Sequence, residues 1–235
     1  NCGPQLRMLD ANGKALVTDD PVSETIRRLK DGQIVAIKGL GGYHLVVDAS
    51  NQSAVLELRR RKQRDEKPFA LMARDLTVVR RMATVSADEA RLLQGVERPI
   101  VLLEKRADHA LAESVAPANR YFGIMLPCTP LHYLLLQEDF EALVMTSANL
   151  SDEPIAFDDD EACQRLATVA DAFLSHNRRI HTRTDDSIAR VMADRPLLLR
   201  RSRGFVPRAV ALPLEAKSIL AVGAEVRGKV GDASA

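Results

Sequence analysis

The pattern that most constrains the fold is an alternation of short apolar runs with capped helical segments, which continues to about residue 210. The runs from Gln33 to Lys38 and from Ala142 to Met145 are short and rich in branched side chains, which is typical of strands. A first helix is predicted between residues 20 and 32, with Asp20 as its N-cap and Pro21 as its first residue. The alternation predicts an α/β protein.

Further elements follow the same rules. Asn51 is predicted to cap a helix that ends in basic residues, and Ser86 with Glu89 matches a capping box that starts another helix. Additional helices are predicted at 130–136 and 158–169, and additional strands at 69–73, 99–103, 121–126, 171–175, 187–192 and 197–200.

A glycine cluster, residues 39–42, separates the strand that ends at Lys38 from one that starts at Tyr43. It matches neither the P-loop nor the dinucleotide fingerprint, because no Gly-Lys-Ser/Thr follows and a strand comes next. The cluster therefore predicts a tight connection between strands. Such a connection also brings Lys38, Tyr43 and His44 close to backbone that needs no side-chain room.

Basic residues crowd at the end of the helix capped by Asn51. The chain as a whole has a formal net charge of only +1, so any preference for anions must come from a local group. A solvated helix face is one interpretation of residues 59–61. Lys62 and Arg64 lie at the exit from the helix, where residues two apart in extended chain point the same way and can hold one polyphosphate.

Polar residues follow the buried strand at 142–145, namely Thr146, Ser147 and Asn149. Ser and Asn after a strand are common turn residues, which is one interpretation. The other is functional, because a hydroxyl and an amide at the end of a strand can hydrogen-bond a phosphate or a carbonyl without adding charge.

A second basic group near residue 200 comprises Arg200, Arg201, Arg203 and Arg208, and the two groups together can face one anion. Asp185 and Asp186 are candidates to orient an arginine or a magnesium ion. The acids at 158–161 are better explained by a helix N-terminus than by a metal.

The three cysteines form no CxxC pair, and the histidines show neither ligand spacing nor a Ser/His/Asp triad. These patterns favour neither a disulfide framework nor a complete zinc site. No apolar run is long enough for a membrane span and no signal peptide opens the chain, so a cytoplasmic protein without membrane contact is expected.

Several of these segments, in this order, resemble the YrdC-like domain, and more closely that domain as it occurs in the HypF family of carbamoyltransferases of nickel–iron hydrogenase maturation. They are Ile37-Lys-Gly-Leu-Gly-Gly-Tyr-His44, Arg61-Lys-Gln-Arg64 with Lys67-Pro68, Met125-Leu-Pro127, Met145-Thr-Ser-Ala-Asn-Leu-Ser151, Asp185-Asp-Ser187 and Arg200-Arg-Ser-Arg-Gly-Phe-Val-Pro207. The resemblance implies an α/β fold with a twisted, mixed, largely antiparallel sheet, flanking helices and a concave basic face.

The resemblance also implies a division of the chain. Residues 1–14 would be the remnant of an upstream zinc-knuckle region, with Cys2 as an orphaned ligand, and 15–210 the YrdC-like domain. Residues 211–235 would be a linker and the truncated start of an actin/sugar-kinase-like domain. An acylphosphatase-like domain is expected further upstream, so this fragment is expected to carry only the adenylation half of the reaction.

The implied reaction is the ATP-dependent formation of carbamoyl-adenylate, with release of pyrophosphate. The carbamate derives from carbamoyl phosphate, Mg²⁺ assists, and the carbamoyl group is finally transferred to the C-terminal cysteine of HypE.

The resemblance and the chemistry together assign roles to residues. The catalytic residues would be Lys62, Arg64, Ser147 and Asn149, and the nucleotide would also contact Thr146, Arg200 and Arg203. The acyl pocket would contain Lys38, Gly41, Tyr43 and His44. Magnesium would come with the ATP phosphates, with Asp186 as a weak ligand.

Two alternatives stay open. One is a threonylcarbamoyl-adenylate synthase for tRNA modification, although such relatives usually carry a Pro-Thr-(Asp/Glu)-Thr run where this chain has Lys38-Gly-Leu-Gly41. The other is a double-stranded RNA binder that uses the basic face without chemistry.

Overall fold

A computed structural model describes residues 3–137, 140–149 and 153–210. Its strands all belong to one sheet. In chain order they are β1 (Leu6–Asp10), β2 (Ala15–Leu16), β3 (Val35–Lys38), β4 (Tyr43–Asp48), β5 (Ala70–Ala73), β6 (Ile100–Glu104), β7 (Tyr121–Met125), β8 (Ala142–Ser147), β9 (Ala172–His176), β10 (Ile188–Met192) and β11 (Arg195–Arg200).

The order across the sheet is β11-β10-β6-β7-β5-β8-β4-β3-β9-β1-β2. Three neighbouring pairs are parallel, namely β10 with β6, β5 with β7 and β3 with β9, and the remaining pairs are antiparallel. The prediction of a mixed, largely antiparallel sheet with flanking helices is therefore confirmed, while the concave basic face stays a prediction.

The helices are capped by local hydrogen bonds. They are α1 (Pro21–Lys30), α2 (Gln52–Lys62), α3 (Leu76–Met82), α4 (Ala87–Gln94), α5 (Pro130–Leu135) and α6 (Asp159–Leu166), with a short 3-10 helix at Glu113–Val115. The Asp20 side chain accepts from two backbone N–H groups, Asn51 accepts from one, and Ser86 and Glu89 form the predicted capping box. All three predicted N-caps are confirmed.

Apolar side chains pack on both faces of the sheet. On one face, α2 contributes Val55 and Leu58 to a core that includes Tyr43 and Leu45 of β4. On the other face, Leu29 of α1 and Leu135 of α5 join a second core that includes Val46. Successive residues of β4 thus point to opposite faces, so Tyr43 and His44 are directed to different sides of the sheet.

Four short elements were not predicted, namely β1, β2, α3 and the 3-10 helix. Strand β1 lies within the range predicted as an upstream remnant, yet it pairs along its whole length with β9, so the sheet begins at Leu6 rather than at residue 15. Helix α3 was missed because its Thr77-Val78-Val79 run favours strands, whereas Asp75 caps it as a helix by accepting from the Val78 N–H. Residues 1–2, with Cys2, and 211–235 lie outside the described residues.

The glycine connection between β3 and β4 has a tight backbone contact. The Thr184 N–H donates to the Gly41 carbonyl at 3.0 Å. A Cβ at Gly41 would lie 2.2 Å from the Thr184 oxygen, so only glycine fits there. The predicted tight connection is confirmed, and it also holds the segment that leads into β10.

In the part of the chain that the structure describes, no helix is both long and apolar enough to cross a membrane.

Candidate functional site

The end of α2 and the end of β8 meet at Lys62. This side chain is 3% exposed, and its ammonium donates to the Ser147 carbonyl at 2.8 Å and to the Asn149 side-chain oxygen at 3.0 Å. It also donates to the Asn149 carbonyl. The Ser147 hydroxyl donates to the same Asn149 side-chain oxygen at 2.7 Å. The two polar clusters singled out in the sequence are therefore in direct contact.

The backbone conformation at Lys62 and Arg64 differs from the predicted one. Lys62 is the last residue of α2 rather than part of an extended exit. Gln63 ends the helix in the left-handed conformation, with φ 50° and ψ 50°, and its N–H bonds back to the helix. The extended geometry predicted for Lys62 and Arg64 is wrong, because a left-handed C-cap turns the chain between them.

Arg64 also reaches β8, at Thr146. Its guanidinium donates to the Pro68 carbonyl at 2.6 Å and to the Thr146 hydroxyl at 3.4 Å, and it stacks 5.0 Å from the centre of the Phe69 ring. Burial lowers the pKa of Arg64 to about 10, so the side chain stays charged at neutral pH.

Lys62 has a strongly perturbed environment. Burial, followed by the nearby charges of Arg64 and Lys67, lowers the pKa of the Lys62 ammonium to about 7. In the part of the chain that the structure describes, Lys62 has no carboxylate partner, and its acceptors are carbonyl and amide oxygens. An anion bound beside Lys62 would therefore not have to compete with a carboxylate of the described residues for the ammonium.

The arginines before Lys62 are not one solvated face. Arg60 is exposed and pairs with Glu57, as that interpretation expects. Arg59 is buried and donates to backbone carbonyls, including that of Ser114 at 2.5 Å. Arg61 is half-buried and pairs with Asp171 at 2.7 Å. The solvated-face interpretation therefore holds only for Arg60, because the other two join α2 to neighbouring segments.

The four residues predicted to form the acyl pocket separate onto two faces of the sheet. Lys38 and Tyr43 both turn to Asp159, each at 2.7 Å from its carboxylate. The contact with Lys38 lowers the pKa of Asp159 against the opposing effect of burial, which is the largest influence. Lys38 and Tyr43 therefore anchor the start of α6 and do not share a pocket with His44.

His44 and Gly41 line a small cavity on the other face. His44 lies 3.0 Å from Asp186, which also accepts from Arg203 at 2.7 Å. The cavity holds about 10 Å³, roughly the space of one water molecule. In the β4–β8 pair, His44 is the register partner of Ser147, and side chains of such partners lie about 4.5–5.5 Å apart at their Cβ atoms. His44, which lines the cavity, is therefore a cross-strand neighbour of Ser147.

The cavity is also lined by Cys128, His132 and Thr184, which were not predicted as site residues. Cys128 lies 3.5 Å from the Nδ1 of His132, at the start of α5. Burial raises the pKa of the Cys128 thiol and lowers the pKa of the His132 imidazole to about 3, so both are neutral at pH 7. Their spacing of four residues at a helix start was the one available signal, and it gave no indication of which face they would occupy.

Asp186 pairs with one member of the second basic group, Arg203. The carboxylate lies in a buried contact with His44 and Arg203, and these partners lower the pKa of Asp186 although burial, the largest influence, opposes them. Arg208 pairs with Glu97, and Arg200 remains exposed at 3.8 Å from Asp185. Arg203 is thus neutralised by Asp186, whereas Arg200 keeps donors available.

Within the residues that the structure describes, protein side chains alone do not provide a metal site. Among the described residues, no group of three or more His, Cys, Asp or Glu side chains converges as metal ligands. In the described part of the chain, the Asp186 carboxylate is occupied by contacts with His44 and Arg203. A magnesium ion at this site would therefore be held mainly by substrate phosphates.

One protein family model and several curated sequences match this chain. The Sua5_yciO_yrdC family model, described as telomere recombination, matches residues 27–202. The carbamoyltransferase HypF2 of Cupriavidus necator is 46% identical over 244 residues, which cover 96% of this chain and 30% of that protein. The chain thus spans about 30% of the length of this curated relative.

Solved structures of HypF and Sua5 proteins align with this chain. Full-length HypF in its phosphate- and nucleotide-bound form aligns with a TM-score of 0.86 and 44% identity, over 92% of this chain and 28% of that one. Sua5 of P. abyssi in complex with L-threonine aligns with a TM-score of 0.66 and 16% identity, over 77% of this chain and 54% of that one. The second likeness shows a shared fold.

Proposed function

The chain belongs to the Sua5/YciO/YrdC family, and from this premise we propose that it forms carbamoyl-adenylate from ATP and carbamate, with release of pyrophosphate. The observation that carries the proposal is the contact between Lys62 and the Ser147–Asn149 segment, beside Arg64 and Thr146. The nucleotide-bound HypF, at 44% identity, supports a nucleotide at this fold.

The proposed reaction joins two anions. A carbamate oxygen attacks the α-phosphorus of ATP, the bond from that phosphorus to the β-phosphate oxygen breaks, and pyrophosphate leaves with its electron pair. Such a step needs cations and fixed donors more than a strong base. Lys62 and Arg64 supply the cations that hold the triphosphate and stabilise the leaving pyrophosphate.

The neutral donors in and just after β8 complete the site. The Thr146 and Ser147 hydroxyls and the Asn149 amide bind the α-phosphate and the carbamoyl group. Because Lys62 now donates to Asn149, a bound nucleotide would replace some of these internal hydrogen bonds with phosphate oxygens. Magnesium enters on the phosphates and offsets their charge.

The small cavity lined by His44, the cross-strand partner of Ser147, favours a small acyl group. Gly41 and His44 line it, and its volume of about 10 Å³ suits the amino end of a carbamoyl group better than a threonyl side chain. Lys38 and Tyr43 are assigned instead to the support of α6, because both contact Asp159.

The activity of the longer relatives supplies the wider context. We infer that carbamate comes from carbamoyl phosphate and that the carbamoyl group is passed on to the C-terminal cysteine of HypE in nickel–iron hydrogenase maturation. The relatives named carbamoyltransferase support a transferase role for the whole protein, of which this chain would perform the adenylation step.

ATP–pyrophosphate exchange tests the proposal. Exchange is expected with carbamate, and with threonine plus bicarbonate only at background level. Lys62→Ala and Arg64→Ala should each lower the rate by about 100-fold or more, because each removes a charged donor to the transferred phosphates. Arg60→Ala is the matched control, since Arg60 is exposed on the same helix, and it should change the rate by less than about twofold.

The outcomes separate the alternatives. Near-normal exchange in Lys62→Ala with an unchanged unfolding midpoint contradicts the assignment of the site. Exchange that requires threonine identifies the threonylcarbamoyl reaction instead. Salt-sensitive binding of double-stranded RNA without exchange under any condition identifies the RNA-binding alternative.

A further inference from the structure

A basic strip lies in the segment between β9 and β10. It contains Arg178, Arg179, His181 and Arg183. Arg183 is exposed, and its guanidinium lies 5.6 Å from the centre of the Phe157 ring. Within the described ranges, Arg183 has neither a hydrogen-bond acceptor nor an acidic partner for its side chain. Its contact with Phe157 is therefore a cation–π contact that leaves the N–H donors available.

The backbone places this pair beside the candidate site. Thr184, the next residue after Arg183, donates its N–H to the Gly41 carbonyl at 3.0 Å. Ala156, the residue before Phe157, accepts from the Tyr43 N–H at 2.8 Å and donates to the Ala148 carbonyl at 2.9 Å. Arg183 and Phe157 thus lie at the end of the sheet where β8 delivers Ser147 and Asn149.

The two cations already assigned to the site have most of their donors in use. Lys62 donates to three protein oxygens, which accounts for all the N–H groups of an ammonium. Arg64 donates to Lys67, Thr146 and Pro68, so at most two of its five N–H groups remain. A polyphosphate with several anionic oxygens needs further donors, and Arg183 has all five.

We propose that Arg183, held over the Phe157 ring, is an additional anion-binding side chain of this site and contacts a phosphate of the polyphosphate substrate. The inference rests on the proposed nucleotide site and extends it. The ring restricts the guanidinium to one plane, so little side-chain entropy is lost when phosphate binds. Arg183 would therefore contribute to binding more than an equally exposed arginine elsewhere.

Calorimetric titration of the whole chain with inorganic pyrophosphate tests the inference. Arg183→Ala should weaken binding by about tenfold or more, the usual effect of removing a hydrogen bond to a charged group. Phe157→Leu keeps the apolar bulk and loses the ring, so a smaller weakening is expected. Arg195→Ala, on the edge strand β11, removes the same charge from an exposed position and should change the affinity by less than about twofold.

The results of this titration support or overturn the role proposed for Arg183. Unchanged pyrophosphate affinity in Arg183→Ala, or an equal loss in Arg195→Ala, overturns the inference. Thermal unfolding of Arg183→Ala should stay close to that of the unmodified chain, because the exposed side chain loses only its contact with the Phe157 ring among the described residues. If pyrophosphate binding depends on Arg183 while carbamate-dependent exchange is absent, the anion site stands and the proposed reaction fails. If Arg183→Ala shows normal exchange and unchanged pyrophosphate affinity, the proposed reaction is retained and the proposed role of Arg183 is rejected.

Discussion

At the scale of single residues, Lys62 connects the fold to the proposed chemistry. It is the last residue of α2, and its ammonium reaches Ser147 and Asn149 at the end of β8. Burial lowers the pKa of Lys62 to about 7, so the cation is held in a place where charge is costly unless an anion is present. A bound phosphate would raise this pKa again, which couples protonation to substrate binding.

The stability of the protein should show this perturbed lysine. The pKa of Lys62 is about 7 in the folded chain and 10.5 ordinarily, so between these values the unfolded chain binds more protons. The free energy of unfolding should therefore rise with pH across this window, relative to that of Lys62→Met, and show no such difference in slope below pH 7. Urea denaturation of both proteins at several pH values measures it. Parallel curves across the window would show that the pKa of Lys62 is ordinary.

At the scale of secondary-structure elements, Asp159 joins the start of α6 to several strands. It contacts Arg7 of β1, Lys38 of β3, Tyr43 of β4 and Ser175 of β9. These contacts fix the segment that precedes α6, which runs beside Tyr43 and Ala148. The network is therefore a support for the site rather than part of an acyl pocket.

Asp159→Asn separates these two roles. The change leaves the buried Lys38 ammonium without a carboxylate, so the free energy of unfolding should fall by about 2 kcal/mol. Pyrophosphate release per folded molecule should stay close to that of the unmodified chain. Asp160→Asn, at an exposed neighbouring position, is the control and should leave both quantities nearly unchanged. A large loss of turnover in Asp159→Asn at unchanged stability would return Lys38 and Tyr43 to the acyl pocket.

Local signals determined which elements were predictable. The caps at Asp20, Asn51 and Ser86 depend on residues two or three positions away, and each was predicted correctly. The opposite directions of Tyr43 and His44 follow from the alternation along a strand, but their partners Asp159 and Asp186 could not be predicted, because both are distant in the sequence. Contacts between distant segments leave no periodic signal in the residues that make them.

The candidate site divides in the same way. Lys62, Arg64, Ser147 and Asn149 could be selected because their residue types suit phosphate and stand beside the ends of predicted elements. Their mutual contact required β8 to pack beside α2, and the left-handed turn at Gln63 had no glycine to indicate it. Sequence therefore identified the participants, whereas the hydrogen bonds among them came from the structure.

At the scale of the whole molecule, the sheet depends on its first residues. Strand β1 covers β9 with antiparallel pairing from Leu6 to Asp10, and β9 in turn pairs with β3. Without β1, the backbone N–H and C=O groups along one side of β9 would be unpaired, and exposed edges of this kind promote association between chains.

A chain that begins at residue 15 should therefore be less stable than one that begins at residue 5. The shorter chain lacks the whole of β1 and exposes β9, whereas the longer one retains every pair of the β1–β9 ladder. Thermal unfolding should show a lower midpoint for the shorter chain, and light scattering should show aggregation. Equal midpoints and no aggregation would show that the stable sheet begins at residue 15, the predicted start of the domain.

The central claim is that a carbamate oxygen attacks the α-phosphorus of ATP at the site formed by α2 and β8. Carbamate labelled with oxygen-18 tests it directly, because the attacking oxygen becomes the bridge of carbamoyl-adenylate and stays on phosphorus when the acyl group is later removed at carbon. Mass spectrometry of the released AMP should show one labelled oxygen per turnover, and Lys62→Ala should yield almost no labelled AMP. Unlabelled AMP, or ADP and phosphate as the products, would contradict the account.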